Sequence, residues 1–381
     1  MKQWRNKLSS VVLAFALYLS ISSGGLGLAD VFTIERALVS AFLTFLALLS
    51  SIVLAVLSRT GAQRTLYCIF ATVVFYCIIQ FLRADSIILA LGKLDGLVFA
   101  SGLVFILGRA VQVHDAVELR RSLIVSAIFV LVLTIAYKWY FGFWDREVRF
   151  FLNGPIIFGW LMAVSSLLCL DVQREGSRIL YISLAVIFLL ALFWTESKGP
   201  LIGYMIGATY LMTSGGKYYR LPVIVAAFWL AGYVAVANNL FPSRFLVLER
   251  MISGTLLASD FGSVGVRQLM WLESLEMFSQ RPFFGMGLGN WASNSMISFQ
   301  FGERIVYPHN IIAEILSEHG LVGAVFFGVL FWLIYLRSSR LGRCVFITIC
   351  VSLLFTGDMG NWHFLVALPI VLGNYPVAKG R

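Results

Sequence analysis

Charged residues are scarce in this chain. They make up only 13% of the 381 residues, whereas 60% are hydrophobic, and the mean hydropathy is +0.88. A soluble domain of this length could not stay dissolved with so little charge, so the composition excludes that class and indicates a polytopic membrane protein. The long apolar runs also exclude a membrane β-barrel, which would show alternating segments of about 10 residues. The predicted fold class is therefore an all-α integral membrane protein.

Metal-binding and redox motifs are also lacking. The five cysteines lie in or beside apolar runs and form no CxxC pair, so we interpret them as small core residues. No DxD pair is present, and the carboxylates of the outer loops do not have the spacing of a metal site. We therefore expect neither a metal nor another cofactor.

Continuous apolar segments predict about twelve transmembrane helices. A bilayer core of about 30 Å requires about 20 apolar residues per helix. The first run follows basic residues as a signal peptide would, but its length predicts an uncleaved span. We expect residues 1–381 to form a single membrane domain. The predicted spans lie near residues 8–29, 33–57, 66–82, 86–108, 122–142, 155–170, 179–195, 200–214, 221–241, 321–336, 344–356 and 361–373.

The distribution of charge predicts the orientation. If the N-terminus is cytoplasmic, the cytoplasmic segments hold 17 of the 29 basic residues and four of the 19 acidic residues. Every loop then agrees with the positive-inside rule, and both termini lie in the cytoplasm. One loop, residues 242–320, is far longer than the others and lies on the outer face. Loops of this length are usually functional.

The long outer loop contains two predicted helices. Residues 265–282 form an amphipathic pattern that ends at Pro282, suited to lie on the outer leaflet or over the bundle. Glycines 285, 287 and 289 allow a sharp turn or a close approach of the backbone to a ligand. The sequence YPHN at 307–310 precedes a second helix, which we expect Gly320 to stop.

Two charged residues interrupt the fourth apolar segment. Lys93 and Asp95 would be costly inside a bilayer. Either they mark an internal cavity, or the span begins later, near Leu97. We favour the later start, which predicts that residues 84–96 form a helix on the outer face.

The chain carries polar and glycine-rich motifs from about residue 153 onwards. They are Arg267 and Trp271 in the amphipathic helix, the run 281–291 (RPFFGMGLGNW), the pair His309–Asn310, the run 314–323 (E-x-L-x-E-x-G-L-x-G), and two weaker motifs at 153–155 (NGP) and 195–200 (TESKGP). In these motifs the chain resembles the O-antigen ligase and polymerase family of bacterial membrane glycosyltransferases, over about residues 153–335.

The resemblance implies an activity, a location and partners. Such an enzyme moves a glycan from a polyprenyl diphosphate carrier, undecaprenyl diphosphate, to an acceptor hydroxyl without a metal or a nucleotide. It lies in the bacterial inner membrane, with its active site on the periplasmic face. The acceptor is lipid A–core for a ligase of lipopolysaccharide biosynthesis, or a second glycan for a polysaccharide polymerase. Nucleic acid is not a partner, since the positive-inside rule already accounts for the net charge of +10.

The candidate site residues fit this implied chemistry. A diphosphate leaving group gains negative charge, so catalysis requires fixed cations. An acceptor hydroxyl requires a base, and histidine has an unperturbed pKa of about 6.5. We predict His309 and Arg267 as catalytic residues. The predicted substrate-binding residues are Lys198, where the family more often has arginine, and Arg281, Arg83 and Asn310.

Alternatives remain open at this point. A ligase and a polymerase need the same cations and the same base, so the shared residues do not separate them, although the long loop favours a ligase. A polysaccharide or lipid transporter is the alternative of another class. Transporters tend to have repeated halves and charged residues near the bilayer midplane, whereas this chain has no evident repeat and its polar motifs lie in outer segments.

Overall fold

The computed structural model describes residues 68, 71–72, 75–87, 89–91, 93–94, 116–145, 148, 150, 154–172, 177–214, 261–300 and 307–357. Regular structure in these ranges is helical, with no β-strand. The named helices are α1 (Ala116–Phe141), α2 (Pro155–Val172), α3 (Arg178–Trp194), α4 (Lys198–Thr213), α5 (Phe261–Gln280), α6 (Asn290–Asn294), α7 (Met296–Gln300), α8 (Ile311–Arg337) and α9 (Arg340–Thr356). Residues 75–81 and the described residues of 87–94 are also helical.

The helices agree with the predicted spans wherever both can be compared. The runs 122–142, 155–170, 179–195 and 200–214 correspond to α1 to α4 within a few residues at most ends. The runs 321–336 and 344–356 correspond to the later part of α8 and to α9. The predicted spans near 8–29, 33–57, 221–241 and 361–373 lie outside the described residues, so the total of twelve stays a prediction.

Among the residues that the structure describes, two helices are long and apolar enough to cross a bilayer, Arg120–Phe141 within α1 and Ile311–Arg337, which is α8. The apolar helices Pro155–Asp171 and Arg178–Trp194 are shorter. A helix rises about 1.5 Å per residue, so these shorter helices approach the thickness of the hydrocarbon core without exceeding it. The described part of the chain therefore confirms a largely helical protein with membrane-type helices.

The chain divides into two compact units. The first contains residues 1–23, 114–265 and 339–352, and the second contains residues 24–113, 266–338 and 353–381. In the first unit α2 contacts α1, α3 and α4. It is buried along almost its whole length, including Trp160, Leu167 and Leu168. A helix that is apolar on all sides suits such a central position.

Contacts inside the first unit show which helix ends lie on the same side. Arg120, near the start of α1, pairs with Asp171, near the end of α2, at 2.8 Å. At the other ends, the indole nitrogen of Trp194 donates to the carbonyl of Phe143 at 3.0 Å. Arg340 donates to Ser214 at 2.5 Å, which joins the start of α9 to the end of α4. These pairings match the alternation of the predicted spans, whereas the assignment of each side to cytoplasm or periplasm stays a prediction.

The second unit has a small core beneath α5. Met270, Met277, Met286 and Trp291 are buried together, and the indole nitrogen of Trp291 donates to the hydroxyl of Ser274 at 2.8 Å. Because Met270, Ser274 and Met277 are spaced by four and three residues, they lie on one face of α5. A helix is therefore present where the amphipathic helix was predicted, and it ends two residues before Pro282. Apolar residues are not confined to its buried face, because Leu269, Leu272 and Leu275 are exposed.

Gly320 interrupts α8. Its φ and ψ of 63° and −162° are not helical, and the helix bends at this point. The backbone N–H groups of Leu321 and Val322 donate to the carbonyls of Pro282 and Phe283, at 2.8 and 3.0 Å. The predicted stop at Gly320 is therefore confirmed, with a second helical segment that begins directly after it. A side chain at 320 would meet the backbone of Phe283, so the turn requires glycine.

Candidate active site

His309 occupies an unusual backbone position immediately before α8. Its φ of +56° lies in the left-handed region, which non-glycine residues seldom adopt and which is often associated with functional sites. Its ring packs edge-on against the ring of Tyr307, with centroids 4.5 Å apart. Its Nδ1 is buried and has no hydrogen-bond partner within the part of the chain that the structure describes. Tyr307 therefore holds the imidazole through ring contact.

The surroundings of His309 keep its ring neutral. Burial and, to a smaller extent, the positive charge of Arg267 together lower the pKa of His309 to about 4. Arg267 and Trp271 are four residues apart on α5, so they lie on the same face. The indole nitrogen of Trp271 donates to the carbonyl of Pro308 at 3.1 Å, which ties α5 to the backbone beside His309. At pH 7 the imidazole can therefore accept a proton.

Asn310 acts as the N-cap of α8. Its side-chain oxygen accepts hydrogen bonds from the backbone N–H groups of Ile312 and Ala313, at 2.9 and 3.1 Å. An asparagine at this position stabilises the helix start by satisfying donors that have no partner inside the helix. This explains Asn310 structurally and leaves its side-chain NH₂ for a substrate, so its binding role stays a prediction. Because Asn310 caps the helix, the side chain of His309 is not needed as the N-cap.

Arg83 lies against the turn that follows α5. Its guanidinium donates to the carbonyls of Phe284 and Gly285, at 2.8 and 3.0 Å, and to the side-chain oxygen of Gln80 at 3.0 Å. Among the described residues, no carboxylate forms an ion pair with it. Carbonyl oxygens orient the guanidinium without cancelling its charge. Arg281 is exposed in the same turn, and substrate binding by both arginines stays a prediction.

Lys198 is the first residue of α4, in the first unit. A cation at a helix N-terminus is electrostatically unfavourable, because the helix dipole places partial positive charge there. A bound anion would offset this cost. The preceding turn contains Glu196, which has a φ of +51°. Within the described ranges Glu196 and His309 are the two non-glycine residues with positive φ, and each belongs to a predicted site motif. The meeting of Lys198 with Arg267 stays a prediction.

The glycine-rich run, residues 285–289, packs closely against neighbouring backbone. Gly285, Gly287 and Gly289 have positive φ, and a side chain at any of them would collide with neighbouring backbone of residues 318, 83 or 90. The backbone N–H groups in this run donate to protein acceptors. Met286 donates to Ser317, Gly287 to the carbonyl of Glu318, and Leu288 to Gln80. The sequence predicted either a sharp turn or a close approach of the backbone to a ligand. The structure shows a sharp turn, and the backbone of this run packs closely against the protein itself.

A buried ionic cluster lies behind this run. Lys93 donates to the side-chain carboxylates of Glu314, at 2.5 Å, and Glu318. The Glu318 carboxylate also accepts from the backbone N–H groups of Gly289, at 3.0 Å, and Trp291, at 3.2 Å. Both glutamates are fully buried. The cluster thus joins the helix of residues 87–94, the glycine-rich run and α8.

Lys93 lies in the segment 84–96, which we predicted as a helix on the outer face. It is buried between two carboxylates, and both belong to the predicted outer loop 242–320. These ion pairs are compatible with the outer face, so the position of the segment and the start of the span near Leu97 stay predictions. The pairing itself was not predicted. The sequence signal for these ion pairs was the spacing of Glu314 and Glu318 by four residues, which places both carboxylates on one face of a helix. One buried lysine in a distant apolar segment could neutralise part of that charge.

The fold, the candidate site and one comparison with a known family indicate the same class of protein. The described residues form a helical protein with membrane-type helices, and a neutral histidine beside an arginine lies at the start of one of them. Residues 183–328 match the family model described as O-Antigen ligase. The match covers 146 of the 381 residues and supports, over that segment, the resemblance to the O-antigen ligase and polymerase family. It supports a membrane-embedded glycosyltransferase of the ligase or polymerase type, with a lipid-linked glycan and lipid A–core as general partners. No match was found among the curated proteins.

Proposed function

We propose that this protein is an O-antigen ligase. It transfers a glycan from a polyprenyl diphosphate carrier to a hydroxyl of lipid A–core at the periplasmic face of the inner membrane. The observation that carries the proposal is the contact of α5 with the backbone beside His309, through the hydrogen bond from Trp271 to Pro308, in a segment that matches the O-Antigen ligase family model. Arg267, one helical turn before Trp271, helps to lower the pKa of His309, which keeps the ring neutral at pH 7. A base and a fixed cation in one place are what transfer from a diphosphate requires.

In the proposed reaction His309 takes the proton of the acceptor hydroxyl. The acceptor oxygen forms a bond to the anomeric carbon of the glycan while the bond from that carbon to the carrier diphosphate breaks. The diphosphate leaves with the electron pair, and the configuration at the anomeric carbon inverts. A pKa of about 4 makes His309 a weak base. A weak base suffices because the attacking hydroxyl becomes more acidic as its new bond forms.

Cations would stabilise the departing diphosphate. Arg267 is proposed as the cation nearest the reacting bond, since its charge already acts on the His309 ring. Arg281, Arg83 and Lys198 are proposed to bind the remaining phosphate oxygens. Arginine suits this role because its planar guanidinium can form two parallel hydrogen bonds to a phosphate, whereas Lys198 would act as a point charge. No metal is needed in this scheme.

The direct test is a transfer assay with purified full-length protein. The protein receives a lipid-linked glycan together with either lipid A–core or a second lipid-linked glycan. We expect the glycan to appear on lipid A–core. Extension of the second lipid-linked glycan instead would identify a polymerase, and consumption of neither acceptor would contradict a transferase. A transporter would move the lipid-linked glycan between leaflets without forming a new glycosidic bond.

The charge of Arg267 should contribute to the pH dependence of the reaction. In Arg267→Gln the cation beside His309 is lost but the burial of the ring remains, so the pKa of His309 should rise only part of the way from about 4 towards its ordinary value of 6.5. The acidic limb of the pH profile of kcat/KM, where His309 becomes protonated and unable to act as a base, should therefore move to higher pH. The rate at neutral pH should fall as well, because a phosphate-binding cation is lost.

Arg281→Gln is the matched control for this experiment. It removes the same charge from the exposed turn after α5, and Arg281 is not among the causes of the shifted pKa of His309. We expect a weaker interaction with the donor but an unchanged acidic limb. If the acidic limb of the kcat/KM profile lies at the same pH in the wild type and in Arg267→Gln, His309 does not govern the pH dependence.

A further inference from the structure

The turn after α5 presents two aromatic side chains outward. Phe283 and Phe284 are 65% and 55% exposed, and Arg281 beside them is also exposed. We name residues 281–284 the aromatic turn. Two adjacent exposed phenylalanines are unusual on a surface that faces only water, and such apolar patches commonly mark contact with a partner or a membrane.

The aromatic turn is rigidly held. The N–H of Gly285 donates to the carbonyl of Arg281 at 2.9 Å, and the N–H groups of Leu321 and Val322 donate to Pro282 and Phe283. Arg83 donates to the carbonyl of Phe284. These bonds fix the turn from both sides, so the outward direction of the two rings is a property of the fold.

The same bonds place the aromatic turn at one end of a lipid-facing surface. Leu321, to which Pro282 is bonded, begins the second helical segment of α8. From this residue, exposed apolar side chains recur every three or four residues and therefore lie on one face of the helix. They are Leu321, Val325, Val329, Trp332 and Leu336. The segment from Leu321 to Arg337 has 17 residues, about the shortest length that spans the hydrocarbon core. An apolar face along such a segment indicates contact with lipid tails.

We propose that the aromatic turn inserts into the surface of the bilayer, with Phe283 and Phe284 at the boundary of the acyl chains and Arg281 at the headgroup phosphates. The apolar rings continue the lipid-facing surface of α8 at its end, and a cation directly before them matches the composition of membrane interfaces. The continuity of the rings with the exposed apolar face of α8 favours the lipid surface over a soluble protein partner as the occupant.

A consequence follows for the active site, and it rests on the proposed function. Arg83 is bonded to the backbone of the aromatic turn at Phe284 and Gly285, so insertion of the turn fixes the depth of its guanidinium near the headgroup phosphates. A carrier lipid holds its diphosphate at the same depth. Insertion would therefore place the guanidinium of Arg83 at the depth of the carrier diphosphate.

The depth of the aromatic turn can be measured without any substrate. Full-length protein with Cys68→Ser, which removes an exposed thiol, receives a nitroxide label at Phe283→Cys or Phe284→Cys. It is reconstituted in vesicles of phosphatidylethanolamine and phosphatidylglycerol. Power-saturation electron paramagnetic resonance then compares collisions with oxygen, which concentrates in the bilayer, and with a water-soluble nickel complex. Val325→Cys serves as the lipid-facing reference and Gln280→Cys, exposed three residues before Phe283, as the matched control.

We expect the labels at 283 and 284 to shift towards oxygen, as at 325, while the label at 280 favours nickel. Labels at both 283 and 284 that behave like the label at 280 would overturn the proposal. Two labelled positions guard against one variant that fails to fold, and each preparation is checked by size-exclusion chromatography. Because no glycan is present, failure of the proposed transferase activity leaves this result unaffected.

Discussion

Replacement of His309 by asparagine is expected to reduce glycan transfer by about 100- to 10,000-fold, the usual contribution of a general base. Asparagine tolerates the left-handed conformation better than most residues, so it suits the φ of +56° at this position. The variant therefore removes the titratable ring while the backbone keeps its geometry. Transfer is measured with purified protein, a lipid-linked glycan and lipid A–core, and kcat should fall far more than KM changes.

Two controls separate a chemical role from a structural one. Asn310→Ala removes the N-cap of α8 at the next residue, which costs about 1 kcal/mol of stability, but it keeps the imidazole. Its kcat should therefore stay close to that of the wild type, and the loss of a substrate contact by Asn310 should appear in KM. Added imidazole should partly restore transfer in His309→Ala, since a soluble base can replace a missing one but cannot repair a fold. Full activity in His309→Asn would remove His309 from the mechanism.

The helices of the first unit could be predicted because the bilayer constrains them. A helix that crosses or nearly crosses the hydrocarbon core needs a continuous apolar run, so the apolar parts of α1 to α4 could be located from the sequence. The start of α1 could not, because the helix begins six residues before its apolar run and includes three charged residues. The bend in α8 was also predictable, because glycine is favoured where the backbone needs positive φ. The predictions of a single domain, of the twelve spans and of the periplasmic side of the site stay predictions.

The contacts around the candidate site could not be predicted in the same way. Lys93 and Glu314 are separated by 221 residues, and a charged residue in an apolar segment does not indicate which distant residue will pair with it. The positive φ of His309 also leaves no sequence pattern, since it arises from the contacts of Tyr307, Pro308 and the cap of α8. The motif run 314–323 identified the right segment, but only the fold shows that its glutamates face inward to Lys93.

Removal of the Glu318 side chain is expected to give the largest loss of stability. In Glu318→Ala the buried Lys93 loses one of its two carboxylate partners, and the backbone N–H groups of Gly289 and Trp291 lose their acceptor. Breaking a buried ion pair by removing one partner costs about 3–5 kcal/mol, and each unsatisfied buried donor adds about 1–3 kcal/mol at most. We therefore expect a large decrease in the free energy of unfolding.

Glu314→Gln is the matched comparison, because it neutralises a buried glutamate one helical turn away on the same face of α8. The amide keeps an oxygen that can accept from Lys93, and the contacts of Glu318 to Gly289 and Trp291 remain. The buried cluster, with one lysine and two glutamates, also becomes closer to neutral, so this variant should lose much less stability. The measurement is unfolding of the full-length protein by sodium dodecyl sulfate in mixed micelles, followed by tryptophan fluorescence. Equal stability of Glu318→Ala and Glu314→Gln would show that the two backbone hydrogen bonds to Glu318 do not hold the glycine-rich run, and that the cluster acts only through its charge.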